Sequence, residues 1–371
     1  MPTSRREFLK YAAAGAAAGL AVPSGLGFAR PAPRGRSLRI LVLGGTGFIG
    51  PHLVRHILDR GHTPTLFNRG RTNTHLFPDV EKLVGDRAGD LEALKGRTWD
   101  AVVDDSASNP KWVRDSAQLL KDAVGTYLFT STRSVYSDYS KIGMDIEGPV
   151  YEVERAWVDE GRELSYGPAK ALCEVEANAA LPGRTLIVRP GLIVGPGDAT
   201  DRFTYWPVRI DRGGEVLAPG DPANRVMFID VRDLAEWYVR LLERDAKGVL
   251  NALGPEAPLT YAEFLYGIRA ITSTPLSFTW VDTDFLLDRE VRPYTDVPLW
   301  MPARGNRAGF NRFDLTRSLD MGITYRPLAV TAYDTLEYHK GRPAEQRERL
   351  RAGLAPERER ELLAAWHAAQ G

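Results

Sequence analysis

The stretch that decides the fold is Leu38-Arg-Ile-Leu-Val-Leu43-Gly-Gly-Thr-Gly-Phe-Ile-Gly50. Residues 38–43 are mostly apolar and branched, as a strand buried on both faces of a parallel sheet requires. Glycines follow at once. His52 to Arg60 then reads as a helix with Leu53 and Ile57 on one face. Strand, glycine turn and helix together form the context in which such a loop cradles a pyrophosphate. Gly44 permits the tight turn, Gly47 lets backbone approach a phosphate, and Gly50 lets the helix pack closely. The helix start supplies free N–H groups and a partial positive charge. Thr46, Phe48 and Ile49 complete the expected contact surface. The alternative is a glycine-rich turn with no ligand.

The next strand, Thr63-Pro-Thr-Leu-Phe67, runs into Asn68-Arg69-Gly70-Arg71. An acid at this strand end suits the ribose 2′-hydroxyl of NAD, whereas an arginine suits the 2′-phosphate of NADP. Asn68 and Arg69 are therefore candidate cofactor contacts. NADP is favoured, NAD remains possible, and solvated loop charges are the plainer alternative. A third strand, Lys82-Leu-Val-Gly85, ends at Asp86 and Arg87. Asp86 is expected to accept from an adenine amino group, with Arg87 beside it.

Farther along stands Tyr166-Gly-Pro-Ala-Lys170. Positions i and i+4 share a helix face. A free tyrosine is too weakly acidic to act as a base at neutral pH, and a nearby ammonium favours the phenolate. Tyr166 is thus the candidate acid/base and Lys170 its helper and a holder of the nicotinamide ribose. Tyr127-Leu-Phe-Thr130 reads as a strand ending in Ser131-Thr132-Arg-Ser134-Val-Tyr136. Its hydroxyls fall at the carboxyl end of the strand, where open α/β sheets bind ligands.

With these motifs in place the chain resembles the extended short-chain dehydrogenases/reductases of the NAD-dependent epimerase/dehydratase type, from about Leu38 to Leu336. Further markers are Arg189-Pro190-Gly191, Gly195-Pro196 and Phe228-Ile-Asp-Val-Arg-Asp233. The resemblance implies Tyr166 as acid/base, Lys170 as its helper and Thr132 as the third catalytic residue, with Ser131 as the competing neighbour. It implies a contact of Pro190 with the cofactor. It implies a doubly wound parallel α/β sheet of the Rossmann type with a smaller mixed substrate lobe. Arg69-Gly70 after Leu-Phe-Asn also looks like the chloroplast stem-loop-binding branch, whose members can lack the tyrosine. There are departures: Val135-Tyr136-Ser137 replaces the usual Val-Tyr-Gly. Arg225 stands one residue off the place of a phosphate-clamping arginine, which puts a nucleotide-diphosphate substrate in doubt.

Residues 4–10, Ser-Arg-Arg-Glu-Phe-Leu-Lys, precede an alanine- and glycine-rich run. Arg5-Arg6 in that frame reads as a twin-arginine export signal, which implies a periplasmic or other extracytoplasmic destination. The run is too short for a stable membrane span. The expected organisation is a signal and linker over residues 1–36, a nucleotide-binding domain over 37–195, a substrate lobe over 196–342 that returns elements to the first core, and a helical appendage over 343–371. In the lobe, Tyr205 and Trp206 are candidates to stack on a ring, or else lobe core, and Arg225 is a candidate substrate contact. The 48 basic and 48 acidic residues balance, which gives no electrostatic case for nucleic acid. Cys173 is the only cysteine and reads as packing. The six histidines form no close-spaced set, so no metal is expected.

The expected chemistry is reversible hydride transfer on a hydroxyl-bearing small molecule, a sugar or sugar derivative, closing on itself as in an epimerase or dehydratase. An NADPH-dependent reductase and a non-catalytic binding protein are the alternatives. A homodimer is compatible with either catalytic reading.

Overall fold

In the first sheet, alternate side chains of one strand enter two different cores. Ile40 and Val42 join one apolar cluster, Leu41 and Leu43 the other. That is the consequence of a period of two in a sheet covered on both faces. The computed structural model describes residues 36–105 and 107–371. The expected export signal falls on residues 1–35 and lies outside the described residues.

The strands are β1 (Arg39–Leu43), β2 (Thr63–Asn68), β3 (Glu81–Val84), β4 (Trp99–Asp104), β5 (Val124–Thr130), β6 (Thr185–Pro190), β7 (Leu192–Val194), β8 (Gly214–Pro219), β9 (Arg225–Asp230), β10 (Gly248–Ala252), β11 (Gly254–Thr260) and β12 (Leu276–Val281). The longer helices are α1 (Ile49–Asp59), α2 (Pro110–Leu120), α3 (Tyr166–Ala180), α4 (Tyr205–Arg212), α5 (Val231–Glu243), α6 (Tyr261–Arg269), α7 (Leu328–Lys340) and α8 (Pro356–Gln370).

The main sheet has the order β10-β6-β5-β4-β1-β2-β3, and every neighbouring pair is parallel. Strand order reverses between β1 and β4. In doubly wound folds that reversal opens the ligand crevice at the carboxyl ends of the strands. Helices α1 and α5 cover one face through Leu53, Val54, Ile57, Leu234 and Tyr238. Helices α2 and α3 cover the other through Val113, Ala117, Cys173 and Ala177. Asn109 caps α2 by accepting from the Lys111 N–H, with Pro110 at the first turn. Asp230 caps α5 in the same way. The expected α/β fold with a Rossmann-type parallel sheet and a smaller mixed lobe is what the chain forms.

The lobe holds a mixed sheet β11-β9-β7 and a parallel pair β12-β8. Its core is aromatic: Phe203, Tyr205, Trp206, Tyr261, Phe264 and Trp300 are all buried. Helix α8 belongs to this core through Leu362 and Leu363. Buried Glu359 accepts from Arg209 Nε at 2.5 Å and from the Leu217 N–H at 3.0 Å. The C-terminal segment, expected as an appendage, is thus packed into the lobe. Among the described residues no helix is long and apolar enough to cross a membrane.

Candidate active site

The carboxyl ends of β1, β4, β5 and β6 converge on a cleft of about 940 Å³. Phe48 and Ile49, Asp105, Thr130 to Thr132, and Pro190 line it from those strand ends, and α3 adds Tyr166 and Lys170.

The glycine loop is built as the sequence demands. Gly44 has φ +131°, and a Cβ there would come within 2.3 Å of Asp105 Oδ1. A Cβ at Gly50 would lie 2.4 Å from the carbonyl carbon of Gly45, so α1 packs directly on the loop's own backbone. At Gly47 a Cβ would meet nothing within 4 Å. That leaves open space over backbone beside the start of α1, of the kind an anion can enter. No side chain caps α1, so its first N–H groups remain available. Asn68 ties the loop to β2: its Nδ2 donates to the Gly44 carbonyl at 3.0 Å and its Oδ1 accepts from the Gly70 N–H at 2.9 Å. Asn73 donates to the Thr46 carbonyl at 2.9 Å. Asn68 and Thr46 therefore shape the loop through these bonds. Arg69 is exposed beyond the end of β2.

Asp86 and Arg87 part company. Asp86 Oδ1 accepts from the Ala88 N–H at 2.9 Å and shapes its own turn. Arg87 was expected beside the cofactor. Its guanidinium instead grips buried Asp104 with two bonds of 2.5 and 2.7 Å and donates to Ser116 Oγ at 2.8 Å. The Tyr127 hydroxyl donates to the same carboxylate at 2.7 Å. A carboxylate buried at the end of β4 must be paired, and Arg87 does that work. The arginine at Asp104 holds its carboxyl below the usual range despite burial.

Tyr166 opens α3 and Lys170 follows one turn later. Lys170 is only 4% exposed. Its ammonium donates to the carbonyls of Ala107 at 2.7 Å and Thr130 at 2.5 Å and lies 4.5 Å from the Phe129 ring centroid. Burial lowers its pKa. Tyr166 as a residue is 54% exposed, yet burial at its hydroxyl raises the pKa; a hydrogen bond from Thr132 and the charge of Arg202 oppose the rise. Two of the three Lys170 donors go to main-chain carbonyls, and the charge that opposes the rise at the phenol is that of Arg202.

Ser131 and Thr132 have different partners. Ser131 Oγ donates to Glu174, a carboxylate already held by Arg189 through bonds of 3.0 and 2.7 Å. Thr132 faces the phenol of Tyr166 and accepts from the Ser134 N–H at 3.1 Å. Ser131 serves a buried ion pair, and Thr132 serves the tyrosine.

The expected substrate contacts need correction. Tyr205 and Trp206 are 4% and 0% exposed, and Trp206 Nε1 donates to the Pro298 carbonyl at 2.8 Å. Both are lobe core. Arg225 does not line the cleft; it begins β9. The cleft is lined instead by Tyr139, Tyr151, Tyr294 and Phe310, with Arg202 and Arg307. Arg133 ties two parts of that lining together. Its guanidinium stacks 3.9 Å from the Phe310 centroid and donates to the Tyr294 hydroxyl at 2.6 Å and to the Phe310 carbonyl at 3.1 Å. Tyr294 and Phe310 lie more than 150 residues from Arg133, so no local pattern announces them. The one local signal was Asp198-Ala-Thr-Asp-Arg202, a polar run just past Gly195-Pro196.

Cys173 is buried, and burial pushes its thiol up to about 12. That makes it an inert packing residue.

Comparison with known proteins agrees with this architecture. The UDP-N-acetylglucosamine 4-epimerase of Bacillus cereus superposes with a TM-score of 0.60 at 17% identity, over 83% of this chain and 98% of that one. The human epimerase family protein SDR39U1, solved with NADPH, superposes with a TM-score of 0.52 at 22% identity, over 81% and 99%. In sequence, the epimerase family protein SDR39U1 of Bos taurus is 27% identical over 257 residues, covering 64% of this chain and 82% of the relative. The 2-alkyl-3-oxoalkanoate reductase of Stenotrophomonas maltophilia is 28% identical over 221 residues, 54% of this chain and 64% of the relative. The NAD dependent epimerase/dehydratase family matches residues 40–118 and 101–252, more than half of the chain, and this protein belongs to that family.

Proposed function

We propose that this enzyme catalyses reversible hydride transfer at a hydroxyl-bearing carbon of a sugar-like substrate, with Tyr166 as the acid/base. The observation that carries the reading is the meeting of Tyr166 with Thr132 in a cleft whose other wall is the glycine loop. The loop fits a dinucleotide: a Cβ at Gly47 would enter open space, and the start of α1 offers uncapped N–H groups. Gly44 to Gly50 would hold the pyrophosphate, Pro190 and Lys170 border the nicotinamide end, and exposed Arg69 suits a 2′-phosphate. When bound, a nicotinamide nucleotide supplies the acceptor and donor of the hydride.

The chain's own residues do the rest. Thr132 orients the substrate oxygen. Tyr166 takes the hydroxyl proton as the carbon is oxidised and returns a proton to that oxygen on reduction. Lys170 fixes the ends of β5 and the 107 loop around the site through its two carbonyl bonds. The aromatic wall offers faces for a ring.

A closed, redox-neutral cycle suits the twin-arginine frame at Arg5-Arg6, which we propose directs export. An exported enzyme has no obvious means of regenerating a spent cofactor. The test is to denature purified protein and assay the released nucleotide. Stoichiometric cofactor, with no net change in absorbance at 340 nm during turnover, supports the closed cycle. Exchangeable cofactor with stoichiometric oxidation supports a second reading, an NADPH-dependent reductase. Exposed Arg69 favours that reading, and the name of the Stenotrophomonas relative is consistent with it. The likeness to the stem-loop-binding branch points to a non-catalytic protein, against which stand the retained Tyr166 and Lys170.

A further inference from the structure

We infer that the substrate carries a carboxylate close to the reacting carbon, and that Arg202 binds it. The inference rests on the hydride-transfer reading and names the substrate class it serves: a hydroxy acid such as a sugar acid, in place of a neutral sugar.

The cleft is cationic where the chemistry happens. Arg202 lines it on the segment that follows Gly195-Pro-Gly197. Its Nε donates to Thr200 Oγ1 at 3.1 Å. No carboxylate among the described residues forms an ion pair with it, so its two terminal nitrogens are left for a ligand. Two acids, Asp105 and Asp198, line the cleft with it; the charge of Arg202 opposes the burial-driven rise of the Asp198 pKa, but the hydrogen bonds of the Asp198 carboxylate stay within its own loop. Asp198 is 2% exposed and accepts from the Thr200 N–H at 2.8 Å and the Thr200 hydroxyl at 2.9 Å. Arg202 and Tyr166 line the same cleft, and the charge of Arg202 opposes the burial-driven rise of the phenol's pKa. A planar fork of donors matches a carboxylate better than it matches a lone hydroxyl.

The fork is also held in position. Asp201, next in the chain, has φ +58° and is buried. A non-glycine residue there is strained and persists only where its surroundings impose it. Here Arg342 Nη1 reaches Asp201 Oδ1 at 2.5 Å, the Arg351 N–H reaches Oδ2 at 3.1 Å, and Arg342 Nη2 donates to the Asp198 carbonyl at 2.8 Å. Arg342, just past α7, and Arg351 of the C-terminal segment thereby clamp both sides of the loop that presents Arg202. Such bracing is what a binding group needs to act without reorganising.

The test compares D-glucuronate with D-glucose, which differ at one carbon by a carboxylate in place of a hydroxymethyl group. Binding is measured by titration calorimetry on full-length protein saturated with NADP+. The wild type is expected to prefer glucuronate by about tenfold or more, the worth of one charge-assisted contact. Arg202→Gln is expected to erase the preference and Arg202→Lys to keep part of it, both with unchanged NADP+ affinity as the check on folding. A wild type that binds the two sugars equally, or a preference that survives in Arg202→Gln, overturns the inference. Tyr166→Phe separates the two claims: it keeps the preference if the carboxylate site is real, whatever it does to turnover.

Discussion

Gly47→Ala separates binding from folding with one methyl group. The added Cβ would touch nothing within 4 Å, and Gly47 has no positive φ. The folded chain therefore bears no steric cost. The unfolded chain loses conformational freedom, which favours folding by about 0.4–1 kcal/mol. The methyl enters the space assigned to the pyrophosphate. Displacing one charge-assisted N–H to phosphate bond costs about 1.5–3 kcal/mol, or roughly 10- to 150-fold in Kd. The assay is paired: thermal unfolding without nucleotide, and NADPH fluorescence titration. The expected result is a melting temperature equal to or slightly above wild type, together with weakened binding. Gly50→Ala is the contrast, because its Cβ meets Gly45 backbone at 2.4 Å; stability and binding fall together. A Gly47→Ala protein that binds NADPH like wild type would refute the cradle.

Three further outcomes follow from the site. Thr132→Val should slow turnover by about 10- to 100-fold, since it removes a hydrogen bond to a group that becomes charged; Ser131→Ala should lower stability with little change in rate per folded molecule, and the reverse pattern would return the catalytic role to Ser131. Arg69→Ala should weaken NADP binding by about tenfold or more and leave NAD nearly unchanged, measured by the same fluorescence titration; equal losses would remove the 2′-phosphate contact. Burial raises buried Asp233 to about 6, above its unfolded value near 3.9. The folded state thus holds its proton more tightly, so this group's contribution is full below about pH 4 and is lost as pH rises toward 6. Asp233→Asn should flatten that part of the stability profile, by up to about 3 kcal/mol, in urea unfolding at several pH values; an unchanged slope would refute it.

Much of the fold was legible because its signals are local. Residues 38–60 state strand, turn and helix in unbroken order, and Tyr166 with Lys170 needs only the helical period. What sequence could not supply was direction. Ser131 and Thr132 are adjacent hydroxyls, and only the position of Glu174 under one and Tyr166 beside the other tells them apart. Arg87 follows Asp86 into what reads as a cofactor turn, but the buried carboxylate of Asp104 claims it. Tyr205 and Trp206 look like a ring-binding face until Tyr261, Phe264 and Trp300 close over them to make the lobe core. Arg202 carries no motif of its own: its place in the cleft depends on the loop after Gly195-Pro-Gly197 being braced by Arg342 and Arg351, more than 130 residues away.

The central claim is that the Tyr166 phenol moves the proton while the glycine loop holds the nucleotide. Its most direct measurement is Tyr166→Phe, with nucleotide affinity and single-turnover rate determined on the same preparation, using a sugar acid that the wild type converts. The account predicts a nearly unchanged Kd and a rate lower by about 10²- to 10⁴-fold, the usual worth of a general acid/base. A phenylalanine variant that turns over as fast as wild type, or a wild type that binds no nicotinamide nucleotide, contradicts it.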